Sequence, residues 1–316
     1  MKTGKVSDTI LGRSVFKLIG RRGNSGIEKP AYGQDAARID NRDKSSLVAT
    51  ESGEWPVYRV ANNISAAGGV IDGVTCSIIL DEKSREIRLK EIVKELDRQC
   101  CMLGIPVIGG HTTVSPSVIH PVVSVTGIGH ENRRAVKAKP GQDIVMTKCI
   151  GLSGIRQIVR VREEEILKVF SEDVLHRAVG KEEELLVKAE ADLFISHCAD
   201  GAMHDVSEGG VFAALWDLAE YSGTGLFIDF RQIPVRQEII EICELFNINP
   251  YILDSMGCLL MTCENGCDIV NIMQEHGIDA SVIGKVIEGR NRIIHNMEED
   301  RFLGLPEQDE IYRFIL

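Results

Sequence analysis

The stretch from Ser84 to Thr113 constrains the fold more than any other part of the chain. Leu89, Ile92, Val93, Leu96, Cys100 and Leu103 recur at the three- and four-residue spacing of a helix, while Arg85, Glu86, Lys90, Glu91 and Lys94 fill the water-facing positions. Gly104 is placed to stop that helix. Ile105-Pro106-Val107-Ile108 then predicts a short buried strand, which delivers Gly109-Gly110-His111-Thr112-Thr113 at its carboxyl end. A helix feeding a strand is the building unit of α/β (α+β) proteins, and ligands in such proteins gather where the strands end.

The same alternation continues along the chain. Leu47-Val48-Ala49, Val122 to Gly127, Ile144-Val145-Met146-Thr147 and Gly284 to Ile287 read as strands between helical patterns. Gly151-Leu152-Ser153-Gly154 turns into a helix, and the charged region from Arg160 to Glu190 predicts solvated helices without chemistry. The polar, basic stretch His130 to Lys139 followed by Pro140-Gly141 marks a boundary, so two domains are expected, 1–137 and 138–316. With 316 residues, 44% of them hydrophobic, the chain can bury a core in each.

Charge and cysteine usage exclude several classes. There are 36 basic and 47 acidic side chains, a net charge of −11, which repels phosphate backbones and anionic bilayers. Neither nucleic acid nor membrane is an expected partner. Met1-Lys2-Thr3-Gly4-Lys5 does not lead into the apolar stretch of a signal peptide, and no later run is long enough to span a bilayer, so a cytoplasmic protein is expected. The nine cysteines are odd in number and mostly sit in apolar runs, as at Cys76, Cys149, Cys198 and Cys243, which favours reduced core thiols. Cys258, Cys263 and Cys267 lie close together but lack the paired Cys-x-x-Cys hooks of a zinc site.

Five short segments carry the candidate chemistry. Gly33-Gln34-Asp35-Ala36-Ala37 sets one acid before a strand, and Thr50-Glu51-Ser52-Gly53 closes the next apolar run with another; each is also compatible with an ordinary turn. Asn62-Asn63-Ile64-Ser65-Ala66-Ala67-Gly68-Gly69 reads as an amide-capped helix start, and capping alone would account for it. Gly109, Gly110, His111 and Thr112 could expose backbone N–H groups to phosphate, or form a tight turn with a surface histidine. In His204-Asp205-Val206-Ser207-Glu208-Gly209-Gly210 a carboxylate stands by a helix start and two glycines, which suits a Mg²⁺-bridged polyphosphate. Ser207 is a plausible cap, and the double glycine lets another backbone or a ligand come close. No Gly-x-x-x-x-Gly-Lys-Ser/Thr loop and no Gly-x-Gly-x-x-Gly after a strand is present, so P-loop and Rossmann sites are not supported. A metalloenzyme using His111, His204 and the cysteines without nucleotide is a further reading of the same residues.

In this order the segments resemble the aminoimidazole ribonucleotide synthetase superfamily, which also holds thiamine-phosphate kinase, selenophosphate synthetase and the hydrogenase-maturation dehydratases. Gly33 to Ala37 is similar to the family's Asp-Ala-Ala turn, Gly109 to Thr112 to its Gly-Gly-x-Thr loop, and His204 to Gly210 to its His-Asp-x-Thr/Ser-x-Gly-Gly helix start. Thr147-Lys148-Cys149-Ile150-Gly151-Leu152-Ser153-Gly154 resembles the segment that opens the second domain in the dehydratase-like branch. The resemblance implies a two-domain protomer whose amino-terminal strands form a β-barrel across a homodimer, with ATP near that interface. It implies an enzyme in which an oxygen of a small-molecule or protein-borne substrate attacks the γ-phosphate. Carried over by motif, Asp35, His204 and Asp205 are the catalytic candidates. Asp35, Glu51 and Asp205 would hold Mg²⁺, with Asn63, Gly109, Gly110, His111, Thr112, Gly209 and Gly210 around the nucleotide.

Two departures bear on the metal. Ala49-Thr50-Glu51 stands where the family usually has Thr-Thr-Asp, and Asn62-Asn63 where it usually has Asn-Asp before a helix. An asparagine offers only a neutral carbonyl to a cation, which raises the alternative of a catalytically weakened nucleotide-binding or assembly protein. The dehydratase branch ends in a reactive cysteine, whereas this sequence reads Tyr312-Arg313-Phe314-Ile315-Leu316 there and its last cysteine is Cys267. Cyanide-ligand synthesis on that tail is not expected. Selenophosphate chemistry is disfavoured because no cysteine precedes Cys76.

Overall fold

The structure, a computed structural model, describes residues 3–19, 31–40 and 45–315. They divide into two compact units: Asp35–Arg134, and Ala135–Leu316 together with the described residues before Asp35. Helical turns Asp8–Leu11 (α1) and Lys17–Ile19 (α2) flank a π-helical turn, Gly12–Phe16. The expectation of one amino-terminal domain over 1–137 differs at this first segment. Lys5 pairs with Asp217 at 2.5 Å and the Trp216 indole N–H donates to Asp8 at 3.2 Å, which ties the segment to the carboxyl-terminal unit.

The amino-terminal unit contains β1 (Ala37–Asp40), β2 (Ser45–Ser52), α3 (Pro56–Ala66), β3 (Gly69–Leu80), α4 (Glu86–Leu103), β4 (Val107–Val114) and β5 (Val122–Glu131). Its sheet runs in the order β1-β2-β5-β3-β4 and is antiparallel except for β3 and β4. That parallel pair follows from the α4 crossover between them. α4 ends as the sequence predicts, with Gly104 at φ 65° and the Ile105 N–H reaching back to the Cys100 carbonyl at 3.1 Å. α3 is buried along its whole length and packs Val57, Val60 and Ile64 on the sheet. Gly127 on β5 permits this approach, because a Cβ there would stand 2.9 Å from the Val60 Cβ.

Two expectations need correction here. The Ile105–Ile108 run is not a buried strand ending before the glycines. The strand is Val107–Val114, so Gly109 to Thr112 lie inside it, and it forms the sheet's edge with Val107, Ile108 and Val114 exposed by 46%, 56% and 61%. A β-branched apolar run looks the same whether its own chain covers it or not. Asn62-Asn63 do not start a helix either. α3 begins at Pro56, whose fixed φ suits the first helical position, and the two amides fall in its second half.

The carboxyl-terminal unit contains β6 (Asp143–Thr147), α5 (Leu152–Ile166), α6 (Glu172–Val179), α7 (Lys188–His197), β7 (Met203–Val206), α8 (Gly210–Ser222), β8 (Gly225–Asp229), α9 (Gln237–Leu245), β9 (Cys258–Cys263), α10 (Gly266–Glu275), β10 (Ala280–Ile287), β11 (Arg292–Asn296), β12 (Glu299–Phe302) and α11 (Tyr312–Ile315). Its seven-stranded sheet has the order β12-β11-β8-β10-β6-β9-β7. β9 is buried throughout, which explains its apolar run Cys258–Met261, and its one hydroxyl, on Thr262, is hydrogen-bonded to Gln142 and Ala202. Ile144, Met146, Leu260, Ile283 and Val286 from the strands meet Val211, Leu215 and Leu218 of α8 in one core. Among the described residues no helix is long and apolar enough to cross a membrane.

Candidate functional site

In the amino-terminal unit Glu51 stands near the end of β2, paired across to Val125 of β5. One face of α3 aims Asn63 at it, and the Asn63 Nδ2 donates to Glu51 Oε1 at 2.8 Å. Asn63 is only 8% exposed, so the amide is bound in the core and its partner is a carboxylate at the core's margin. A hydrogen bond of this charge-assisted kind contributes roughly 1.5–3 kcal/mol. It leaves the Glu51 carboxylate tied by a neutral donor rather than facing a second acid.

Asp35 lies in the bend just before β1 and is half-buried. Gly109 to Thr112 lie on β4 at the opposite edge of the sheet, four strand spacings away, or roughly 19 Å for a flat sheet. Within one chain the sheet order therefore does not bring Asp35's strand to the glycine strand. Gly110 is required by packing, since a Cβ would come 2.3 Å from the Cys76 carbonyl of β3, whereas Gly109 meets nothing closer than Thr75 at 3.8 Å. A cavity of about 470 Å³ opens between β4 and α4, lined by Leu96, Asp97, Gly109, Gly110, His111 and Thr112 among others.

In the carboxyl-terminal unit His204 and Asp205 are neighbours on the edge strand β7, opposite Leu260 and Leu259 of β9, and both are buried. Successive residues of a strand face opposite sides. His204 shares the side of Val206, which packs in the core, and Asp205 has the other. Ser207 is not the cap that its type predicts. The N-cap of α8 is Gly209, at φ 83°, a left-handed conformation that glycine adopts without the Cβ penalty, while the Ser207 carbonyl accepts the N–H groups of Gly210 and Ser255. The close approach allowed by the double glycine is made by the chain itself: a Cβ on Gly210 would lie 2.5 Å from the Tyr251 carbonyl.

The Gly209 N–H is also taken. It donates at 2.7 Å to Asp309, whose carboxylate further accepts the N–H groups of Asp254 at 3.1 Å and Ile311 at 2.8 Å. Asp309 is 2% exposed, and burial first, then the Asp254 charge, push its carboxyl up to about 7 against the lowering effect of the three N–H donors. Sequence reasoning missed Asp309 because nothing local marks it. It also missed Glu190, assigned to a solvated region but buried in an ion pair with Lys148, whose ammonium is further held by the carbonyls of Glu184, Leu186 and Gly257. A second cavity, about 460 Å³, lies beside these groups, with Arg236 already bound to Glu184 at 2.5 Å on its wall.

All nine cysteines are free. Burial pushes Cys149 up to about 11 and Cys263 to about 12, and raises Cys258 well above the ordinary thiol value, so these thiols stay protonated and are poor metal ligands or nucleophiles at neutral pH. Among the described residues no group of three or more His, Cys, Asp or Glu side chains is placed to hold a metal ion.

Residues 34–130 match the AIR synthase related protein, N-terminal domain, and residues 139–296 the AIR synthase related protein, C-terminal domain. The chain belongs to the AIR synthase related family. Carbamoyl dehydratase HypE of Azotobacter vinelandii is 26% identical over 255 residues, covering 77% of this chain and 71% of the relative. Thiamine-monophosphate kinase of Pyrococcus horikoshii is 24% identical over 266 residues, covering 82% and 78%. Among solved structures, hydrogenase maturation protein HypE in complex with ATP superimposes with a TM-score of 0.73 at 18% identity, covering 98% of this chain and 97% of the other. The family fold, with one mixed sheet in each domain, is thus the fold of this chain.

Proposed function

We propose that this AIR synthase related protein is an ATP- and Mg²⁺-dependent enzyme that activates an oxygen of a small-molecule or protein-borne substrate by phosphoryl transfer. One observation carries it: both family domains follow in order, and a carboxylate remains at three of the motif positions, as Asp35, Glu51 and Asp205. Relatives that handle phosphate or carbamoyl groups, and a HypE structure that holds ATP, support the same reading.

The residues suit a Mg²⁺ ion brought by nucleotide phosphates and completed by one or two carboxylates, since the described residues make no three-carboxylate cage. When bound, the ion would neutralise phosphate charge and hold the γ-phosphate in line for attack. Glu51 would hold it on the amino-terminal unit, with Asn63 fixing the carboxylate's direction; Asp35 and Asp205 are the further candidates. The backbone at Gly109 and Gly110 and the Thr112 hydroxyl would receive the nucleotide in the cavity beside β4. A homodimer formed through β4 accounts for an edge strand that exposes Val107, Ile108 and Val114.

The direct test is thermal unfolding and turnover with ATP and Mg²⁺. At about a hundred times its dissociation constant a ligand stabilises by roughly 2.7 kcal/mol, well within the resolution of a melting curve. Neither turnover nor a melting shift would end the proposal. The Asn63–Glu51 bond favours a second reading, a nucleotide-binding or assembly protein with little catalysis, for which a melting shift without turnover is the signature.

A further inference from the structure

Lys5 and the segment Asp309–Phe314 both close on the turn between β7 and α8. The Lys5 N–H and the Tyr312 O–H donate to the same oxygen of Glu208, at 2.8 and 3.0 Å. Beyond Asp309, the Glu310 N–H reaches the Ile252 carbonyl at 3.4 Å, and Arg313 donates to the Asn247 and Phe246 carbonyls and to Glu310. Phe314 packs edge-on against Phe246 with ring centres 5.4 Å apart. At the middle of this strap the Asp309 carboxylate sits at the amino end of α8, on the Gly209 amide.

We propose that Asp309 is a positioning residue for the β7–α8 turn, and that the tail Asp309–Arg313 is a clasp on that turn which loosens as pH rises from the acid side towards neutrality. The geometry sets up two opposed effects. Three N–H donors favour the carboxylate, while burial and Asp254, itself bound by the Gln157 amide at 3.2 Å, favour the neutral acid. The groups around it are Asp254 on the segment after Ile252, Glu208 on the turn, uncharged Gln157 on α5, and Glu310, Tyr312 and Arg313 on the tail. Glu208 is occupied by Lys5 and Tyr312, and Arg313 by Glu310 and backbone carbonyls, so Asp254 is the charge that Asp309 meets.

The sign follows from linkage. A carboxyl whose titration is raised in the closed state stabilises that state fully only below its ordinary range, and the stabilisation is lost as pH climbs to about 7. The opening equilibrium then rises about tenfold per pH unit between about pH 4 and about pH 7 and levels off above. The clasp is independent of nucleotide; its meaning for catalysis rests on the ATP reading above, through the His204–Gly210 motif that the turn carries.

The experiment is amide hydrogen exchange on the full-length protein across that range, corrected for intrinsic rates, with and without ATP and Mg²⁺. Protection at Gly209, Asp254 and Ile311 should fall about tenfold per unit towards pH 7 and then flatten. Asp309→Asn should make the profile flat, and Asp254→Asn should move the fall to lower pH. A flat profile in the unmodified protein, or a fall that survives Asp309→Asn, overturns the proposal. If Asp309→Asn does not fold, the unmodified profile and Asp254→Asn decide it. An intact pH profile with no response to nucleotide would count against the ATP reading while supporting the clasp.

Discussion

Replacing Asn63 by Asp tests the chemistry of the amino-terminal unit at its most informative point. The amide now donates to Glu51 at 2.8 Å; the substitution puts a second carboxylate there. Two charges about 4 Å apart at an effective dielectric constant of about 20 repel by roughly 4 kcal/mol. Protonating one acid at pH 7 costs a similar amount, about 1.4 kcal/mol for each unit above its ordinary value near 4.3, so the penalty cannot grow much further. With solvent screening at the half-exposed Glu51, the expected loss is about 2–3 kcal/mol, on the order of 10 °C in the melting temperature of a unit this size. A carboxyl raised in the folded state costs stability as pH rises, so the deficit should be largest above pH 7 and vanish towards pH 4, where the protonated acid restores the donor. Mg²⁺, alone or with ATP, should recover part of it by neutralising the pair. Melting curves at both pH values, with and without the ion, measure all of this. A variant as stable as the parent above pH 7, or one whose deficit ignores pH, would show that the carboxylate does not meet residue 63 as described. ATP hydrolysis in the same samples separates the two functional readings: activity gained from an inert parent favours the assembly role, and activity lost from a working parent favours a specialised enzyme.

Other substitutions probe packing, charge and assembly. Lys148→Met leaves Glu190 buried without its cation and should cost about 3–5 kcal/mol in urea unfolding, with most of that recovered in the double variant with Glu190→Leu; equal losses in both would refute the pairing. Gly127→Ala drives a methyl against Val60 and should cost about 1–3 kcal/mol, whereas the same change at Gly109, where the nearest atom is 3.8 Å away, should cost less than half as much. Ile108→Lys on the exposed edge strand should abolish self-association in sedimentation experiments while leaving the melting temperature of a dilute sample unchanged. A parent that is monomeric at all concentrations would remove the proposed homodimer.

The parts of the fold that were legible in the sequence are those whose signal is local. α4 and its stop at Gly104 followed from apolar spacing and one glycine, because a helix sorts its faces by residues three and four apart. The strands β5, β6 and β10 followed from β-branched runs between turn residues. Where the local signal had two physical causes, the reading slipped. Serine is a common cap, yet Gly209 took the position because the backbone there turns left-handed. Asn62 and Asn63 resemble a helix start, yet Trp55-Pro56 had already begun α3.

The amino-acid sequence by itself determined the order of helices and strands, the absence of P-loop and Rossmann motifs, and the residues that the AIR synthase motifs single out. Only the tertiary structure decided what those residues meet: Glu51 with Asn63, Gly209 with Asp309, Lys148 with Glu190, and Asp35 and Gly110 at opposite edges of one sheet. Backbone propensity and side-chain period act over a few residues and can be read along the chain. Hydrogen-bond partners, buried charges and shifted protonation depend on distances through space, which the chain sets only when it has folded.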